Sequence, residues 1–228
     1  MTDVPGAPLA LLIVNPNTND DTTRLLVATA GEAAGPGVEV AGATAAHGPR
    51  MITDPQALAA AAPHVARAAV EAMRRRRVDA IVIGAYGDPG LVETAAATGV
   101  PVVGIGGASV QAAARGGRRF AIATTTGRLT GALHDLVERN GLLDRYIGCY
   151  LTASPAERLD DAERLVDELR TACRRAQADG AEAVVIGGGP LSAAAETLTR
   201  ELGDELPIIE PVKEAVATAL AALVPSAI

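Results

Sequence analysis

Four short loops hold most of the side chains in this sequence that could do chemistry. Asn15-Pro16-Asn17-Thr18 places carboxamides and a hydroxyl at the start of a helix. Free backbone N–H groups gather there too, so the loop can hold a carboxylate. Thr124-Thr125-Thr126-Gly127 sets three hydroxyls before another helix. One is enough to cap it, which leaves Thr124 and Thr125 as ligand-binding candidates. Ala85-Tyr86-Gly87-Asp88-Pro89-Gly90 offers a phenol and a carboxylate beside glycines. Tyr86 can fill a gap or point at a ligand, and Asp88 before a proline is equally a helix cap. Gly187-Gly188-Gly189-Pro190-Leu191-Ser192 lets a ligand approach bare backbone. Its N–H groups can cradle a carboxylate or an enolate oxygen, or the run is simply a tight turn. The binding candidates are therefore Asn15, Thr18, Gly87, Thr124, Thr125, Gly188 and Gly189.

Acid–base chemistry needs titratable groups near those loops. Tyr86 and Asp88 are two candidates. His47, in Ala46-His47-Gly48-Pro49, is a third, because imidazole is a versatile proton carrier; a surface histidine is the plainer reading. Glu210 is a fourth: it ends the last strand and can face a cleft or cap the final helix. No His, Asp or Glu cluster has the spacing of metal ligands, so no metal is expected. Gly104-Ile105-Gly106-Gly107 lacks the full dinucleotide fingerprint and its acidic partner, so no cofactor is expected either.

The elements that must position these loops read as alternating strands and helices. Strands are expected at 9–14, 38–43, 80–84, 102–105, 120–123, 146–151, 183–187 and 208–210. All are short and apolar, as strands covered on both faces should be. Helix starts are marked by Asp54-Pro55, by Ser154-Pro155-Ala156-Glu157 with its capping-box glutamate, and by Thr18 with Asp21. The order implies right-handed crossovers and parallel sheets. The chain also repeats itself. Val78-Asp79-Ala80-Ile81-Val82-Ile83-Gly84 matches Ala181-Glu182-Ala183-Val184-Val185-Ile186-Gly187, and Pro101-Val102-Val103-Gly104 matches Pro207-Ile208-Ile209-Glu210. Residues 10–18 likewise align with 119–127. The expected fold is α/β, with two pseudo-symmetric lobes, each a roughly four-stranded parallel sheet flanked by helices. Ligands of open α/β sheets bind beyond the carboxyl ends of the strands, which puts the four loops around one cleft.

Composition agrees. The 228 residues are 49% hydrophobic and 21% charged, with aromatics at 2%, so the core is aliphatic and the chain globular. A net charge of −7 argues against nucleic acid as a partner. The basic run Arg74–Arg77 ends an expected helix, where it complements the helix dipole. No apolar stretch is long enough to span a membrane. Cys149 and Cys173 form no disulfide or metal pattern, and a cytoplasmic protein is expected.

Taken in order, Asn15-Pro16-Asn17-Thr18, Gly87-Asp88-Pro89-Gly90-Leu91, Gly104-Ile105-Gly106, the threonines before Gly127-Arg128 and the C-terminal glycine turn resemble the Asp/Glu/hydantoin racemase family. The hydantoin and allantoin racemase branch is the most similar, and the likeness runs from about Leu9 to Val216. The resemblance implies two lobes that exchange terminal segments. The lobes are then expected at 8–98 plus about 207–228, and at 99–206. It also implies a small carboxylate or hydantoin-like cyclic amide as ligand between them, and a homo-oligomer.

Family racemases use two cysteines, one on each face of the substrate carbon. Their positions match Ala85 and Gly188 here, and neither can carry a proton. Cys149 and Cys173 lie outside both motifs. Three functions are expected to compete. One is an isomerase-like enzyme acting next to a carboxylate or cyclic amide carbonyl without the two-thiol relay. Another is a decarboxylase, lyase or cyclase built on an oxyanion pocket. The third is a protein that binds a small carboxylate or hydantoin without turnover.

Overall fold

In the computed structural model, which describes residues 8–155 and 161–224, the eight apolar runs form eight strands. The first half comprises β1 (Leu9–Asn15), α1 (Asp20–Ala34), β2 (Val38–Thr44), α2 (Pro55–Met73), β3 (Ala80–Ile83), α3 (Leu91–Thr98), β4 (Val102–Gly104) and α4 (Ile105–Ala113). The second half repeats the order with β5 (Phe120–Thr124), α5 (Thr130–Arg139), β6 (Tyr146–Leu151), α6 (Ala162–Ala178), β7 (Ala183–Ile186), α7 (Ser192–Leu202), β8 (Ile208–Ile209) and α8 (Pro211–Ala221). Each half forms one four-stranded parallel sheet, ordered β2-β1-β3-β4 and β6-β5-β7-β8.

Strand pairing departs from the lobe boundaries expected at 99 and 207. β4 hydrogen-bonds to β3, so it belongs to the first sheet, and β8 hydrogen-bonds to β7, so it belongs to the second. The exchange takes place one element later, among helices. α8 leaves the second sheet and packs against α1, β3 and β4, whereas α4 leaves the first and reaches β7, β8 and α5. Each departing helix covers a sheet face that would otherwise be exposed, and hydrophobic burial favours that placement.

Side-chain alternation explains the three-part core. Leu11, Ile13, Ala80 and Val82 point to a central core shared with Phe120, Ile122, Ala183 and Val185 of the other sheet, which α1, α4 and α8 complete. Their neighbours Leu12, Val14, Ile81 and Ile83 face outward under α2. Ala121, Ala123, Val184 and Ile186 do the same under α6 and α7. Strands buried on both faces thus need no polar alternation.

Helix starts follow local chemistry. Asp54 caps α2 by accepting the Ala57 N–H at 2.8 Å, with Pro55 in the first turn. The first helix is capped by Asn19, whose side chain accepts from Asp21 N at 3.1 Å, and not by Thr18. Asn19 takes that role because its carboxamide oxygen reaches the second helical N–H. The expected capping box at Ser154–Glu157 runs into residues outside the described ones, and the described helix α6 begins after Asp161. Arg74 ends α2. Among the described residues no helix is long and apolar enough to cross a membrane.

Candidate active site

The two sheets present equivalent turns to one another. Gly84 N donates to the Val14 carbonyl at 2.8 Å, and its counterpart Gly187 N donates to the Ala123 carbonyl at 2.8 Å. Each turn therefore leaves its sheet one residue beyond the last strand residue, from a central position. Gly189 lies against the Gly84 carbonyl, so closely that an added Cβ would come within 3.3 Å of it. Between the turns is a cavity of about 270 Å³. Gly84, Ala85 and Tyr86 line it from the first lobe, and Thr124–Thr126 and Gly187–Gly189 from the second.

Not all the expected binding residues reach this cavity. Thr124 and Thr125 do. Thr124 Oγ1 donates to the Gly187 carbonyl at 2.6 Å and ties the two second-lobe loops together. Thr125 Oγ1 has no protein partner among the described residues and is free to meet a ligand. Gly188 and Gly189 line the cavity, and no hydrogen bond among the described residues uses their N–H groups. Asn15 is fully buried and does not line the cavity. Its Nδ2 donates to Asn17 Oδ1 at 2.9 Å, to the Asn19 carbonyl at 2.9 Å and to Thr23 Oγ1 at 3.0 Å, and its Oδ1 accepts from Asn17 N. Asn15 thus builds the loop. Asn17 is the carboxamide that faces the cavity: its Oδ1 is held by Asn15 and by Asn19 N, which leaves its Nδ2 available. Thr18 instead donates its backbone N–H to Pro49, and Gly87 packs on Leu58 with φ of +109°, so neither lines the cavity.

The acid–base candidates also separate. Tyr86 lines the cavity, and Ser109 Oγ stands 3.2 Å from its phenol oxygen while bonding the Gly106 carbonyl at 2.8 Å. Burial pushes the phenol well above the ordinary tyrosine range, against the opposing pull of Ser109. Tyr86 therefore stays protonated and can donate a hydrogen bond. Asp88 sits behind the turn, away from the cavity. Its carboxylate accepts the N–H groups of Gly106 at 2.8 Å and Gly107 at 2.7 Å, so it caps α4. His47 is exposed on the outer face of the first lobe, beside His64. Glu210 caps α8 through Lys213 N at 2.7 Å and accepts from Ser192 Oγ at 2.8 Å. The cysteines lie elsewhere, and burial pushes the Cys149 and Cys173 thiols up to about 12.

Sequence reasoning missed the remaining wall. Met51, Ile52 and Thr53 enter from the loop before α2, and Leu129, Leu133 and Leu165 supply an apolar side. Thr53 carried a signal, since it precedes the helix cap Asp54. Leu165 carried none, because it comes from a helix distant in sequence. Beside the cavity, Arg128 Nη2 stands 3.3 Å from Asp54 Oδ2 and links the lobes through the neighbours of Leu129 and Thr53. No described residue in the lining carries a formal charge. The wall combines carboxamide, hydroxyl, phenol and backbone donors with aliphatic surface. It can orient a small ring and place hydrogen bonds on a carbonyl oxygen that gains negative charge.

Residues 11–219 match the family model described as Asp/Glu/hydantoin racemase. A hydantoin racemase from Paenarthrobacter aurescens is 30% identical over 219 residues, covering 94% of this chain and 92% of that protein. Another, from Pseudomonas sp. (strain NS671), is 31% identical over 208 residues, covering 90% and 82%. Among solved structures, allantoin racemase from Klebsiella pneumoniae superposes with a TM-score of 0.83 at 32% identity, over 93% of this chain and 86% of that one. Arylmalonate decarboxylase shares the fold, with a TM-score of 0.64 at 18% identity over 96% and 94%.

Proposed function

Because the chain belongs to the Asp/Glu/hydantoin racemase family, we propose that its interlobe cavity binds a small hydantoin-like cyclic amide and labilises the proton on the carbon next to the ring carbonyl. One observation carries this reading. Ala85 from one lobe and Gly188 from the other line the same cavity, so a ring held between them offers both faces of one carbon. Inversion at carbon requires access to both faces.

The lining favours a neutral ring over a dicarboxylate. Burying a carboxylate without a paired cation is costly, whereas amide N–H and C=O groups match the donors and acceptors present. Loss of the α-proton to solvent water would leave its electron pair on the carbonyl oxygen as an enolate. Thr125, Asn17 Nδ2 and the Gly188 and Gly189 N–H groups are the donors we assign to that oxygen and its neighbours. Return of a proton to the opposite face completes inversion. Tyr86 holds the ring in place as a donor, since its phenol keeps its proton. Asp88, His47 and Glu210 act outside this reaction, because none lines the cavity.

A reading as a binder without turnover is favoured by a different feature: among the described residues of the lining, no side chain is suited to carry a proton away. Proton NMR in D2O separates the two. Hydantoin, 5-substituted hydantoins and allantoin should lose their α-proton signal faster with the protein, and aspartate and glutamate should not. A thermal upshift with a hydantoin but no exchange selects the binder; neither effect with any of these compounds refutes both. A homo-oligomer, as the family suggests, and a cytoplasmic setting, which two unpaired cysteines support, belong to the same proposal. Light scattering reads the former.

A further inference from the structure

A second concave site lies on the outer face of the first lobe, between the end of β2 and α2, and we propose that it binds a phosphate-bearing small molecule. His64, Arg67 and Glu71 recur at spacings of three and four along α2, so they share one helix face, and Arg75 follows just past the end of the helix. His47 and Arg76 also line the groove, and Gly42, Ala43 and Thr44 of β2 contribute to it. The depression measures about 440 Å³, within the range of small-molecule sites.

Charge sets the ligand class. Three arginines line the groove against one glutamate, in a chain whose net charge is −7. Glu71 is already engaged, by Arg74 at 3.2 Å and by Arg75 at 2.7 Å, which also orients the Arg75 guanidinium. Arg67 and Arg76 have no acidic partner among the described residues. The His47 and His64 rings lie 5.8 Å apart, centroid to centroid, and both line the same hollow. Guanidinium groups bind phosphate through paired N–H donors, and several converging on one hollow favour a multiply charged anion. Nucleic acid fits poorly: no aromatic side chain other than the two histidines lines the groove for base stacking.

One loop joins the groove to the first site. His47 lies on the loop between β2 and α2 that supplies Met51, Ile52 and Thr53 to the cavity wall.

Titration calorimetry with inorganic pyrophosphate tests the site directly. The expected result is saturable one-to-one binding that persists at about 0.15 M salt, beyond simple screening. The double variant Arg67→Gln/Arg76→Gln should bind at least about tenfold more weakly, the scale of one lost charge-assisted contact. Asn17→Asp, in the interlobe cavity, should leave pyrophosphate binding unchanged. Both arginines are exposed, so the double variant is expected to fold, and its melting temperature checks this. Absence of saturable binding at millimolar pyrophosphate, equal affinity in the double variant, or loss of binding in Asn17→Asp each overturns the proposal. Tighter, arginine-dependent binding of a short RNA than of pyrophosphate overturns it as well. None of these outcomes depends on hydantoin exchange.

Discussion

Asp88 occupies the space that a side chain on Gly104 would need: a Cβ built on Gly104 falls inside the Asp88 carboxyl group. The same carboxylate receives the N–H groups of Gly106 and Gly107. The glycine run after β4 is therefore a cradle for an internal anion. Asp88 belongs to the turn that carries Ala85 and Tyr86, and α4 packs on the opposite sheet. One carboxylate thus fixes the cavity turn of one lobe to a helix of the other. Asp88 holds a positive φ of 54° to make this reach, a conformation that residues other than glycine seldom adopt.

Gly104→Ala should destabilise the protein by about 1–3 kcal/mol, the usual cost of overpacking. In an Asp88→Ala background the obstructing carboxyl is gone, so the same substitution should cost clearly less. Urea denaturation of the four proteins measures the coupling. Strict additivity would sever the link between the two positions.

Asp88 also sets a pH dependence. Burial lifts its carboxyl from 3.8 to about 6, against the pull of the Gly106 and Gly107 N–H groups and the charge of Arg139. The folded protein then holds this proton over an interval in which the unfolded chain has released it. The stabilisation is complete below the unfolded value and is lost as pH rises through the folded one. Asp88→Asn does not titrate. The urea midpoint of the parent should fall more steeply between about pH 4 and pH 7 than that of Asp88→Asn; parallel profiles would contradict this assignment.

The architecture was largely legible because every strand is an unbroken apolar run and the two halves repeat. The strand pairing was less so, since nothing local in Val102 or Ile208 says which sheet each joins. Only the exchange of α4 and α8, a tertiary matter, makes both halves complete. The glycine turns and threonines at the cavity were found because they end strands in equivalent places. Asn15 also ends a strand, but the strand end buries it, and Asn17, two residues on, is the carboxamide that lines the cavity. Asp88 and Glu210 looked catalytic because a carboxylate that caps a helix and one that faces a cleft read alike in sequence.

Asn15 and Asn17 should consequently respond in opposite ways. Asn15→Ala removes a buried carboxamide engaged at both ends and should cost about 1–3 kcal/mol of stability. Asn17→Asp keeps the oxygen that Asn15 and Asn19 hold but replaces the cavity-facing donor with an acceptor. It should fold and lose the thermal upshift given by a hydantoin. If Asn17→Asp binds normally, the carboxamide does not face the ligand.

Thiols can be introduced at Ala85 and Gly188, one from each lobe. Ala85 is at the lining and its backbone is unstrained, so Ala85→Cys should fold with little loss. Gly188 has φ of +154°, and a Cβ there would meet Leu191 at 3.2 Å, so Gly188→Cys should cost about 1–3 kcal/mol. A thiol at one position serves one face of the ring carbon. Ala85→Cys alone should accelerate hydrogen–deuterium exchange of a single hydantoin enantiomer by about a hundredfold, the lower range for a positioned base, with little gain in loss of optical rotation. The double variant should raise both rates together, because one thiol then removes the proton and the other delivers one to the opposite face. NMR and polarimetry on the same samples separate these outcomes. If both single variants bind a hydantoin and neither changes exchange, the ring carbon does not lie between the two turns.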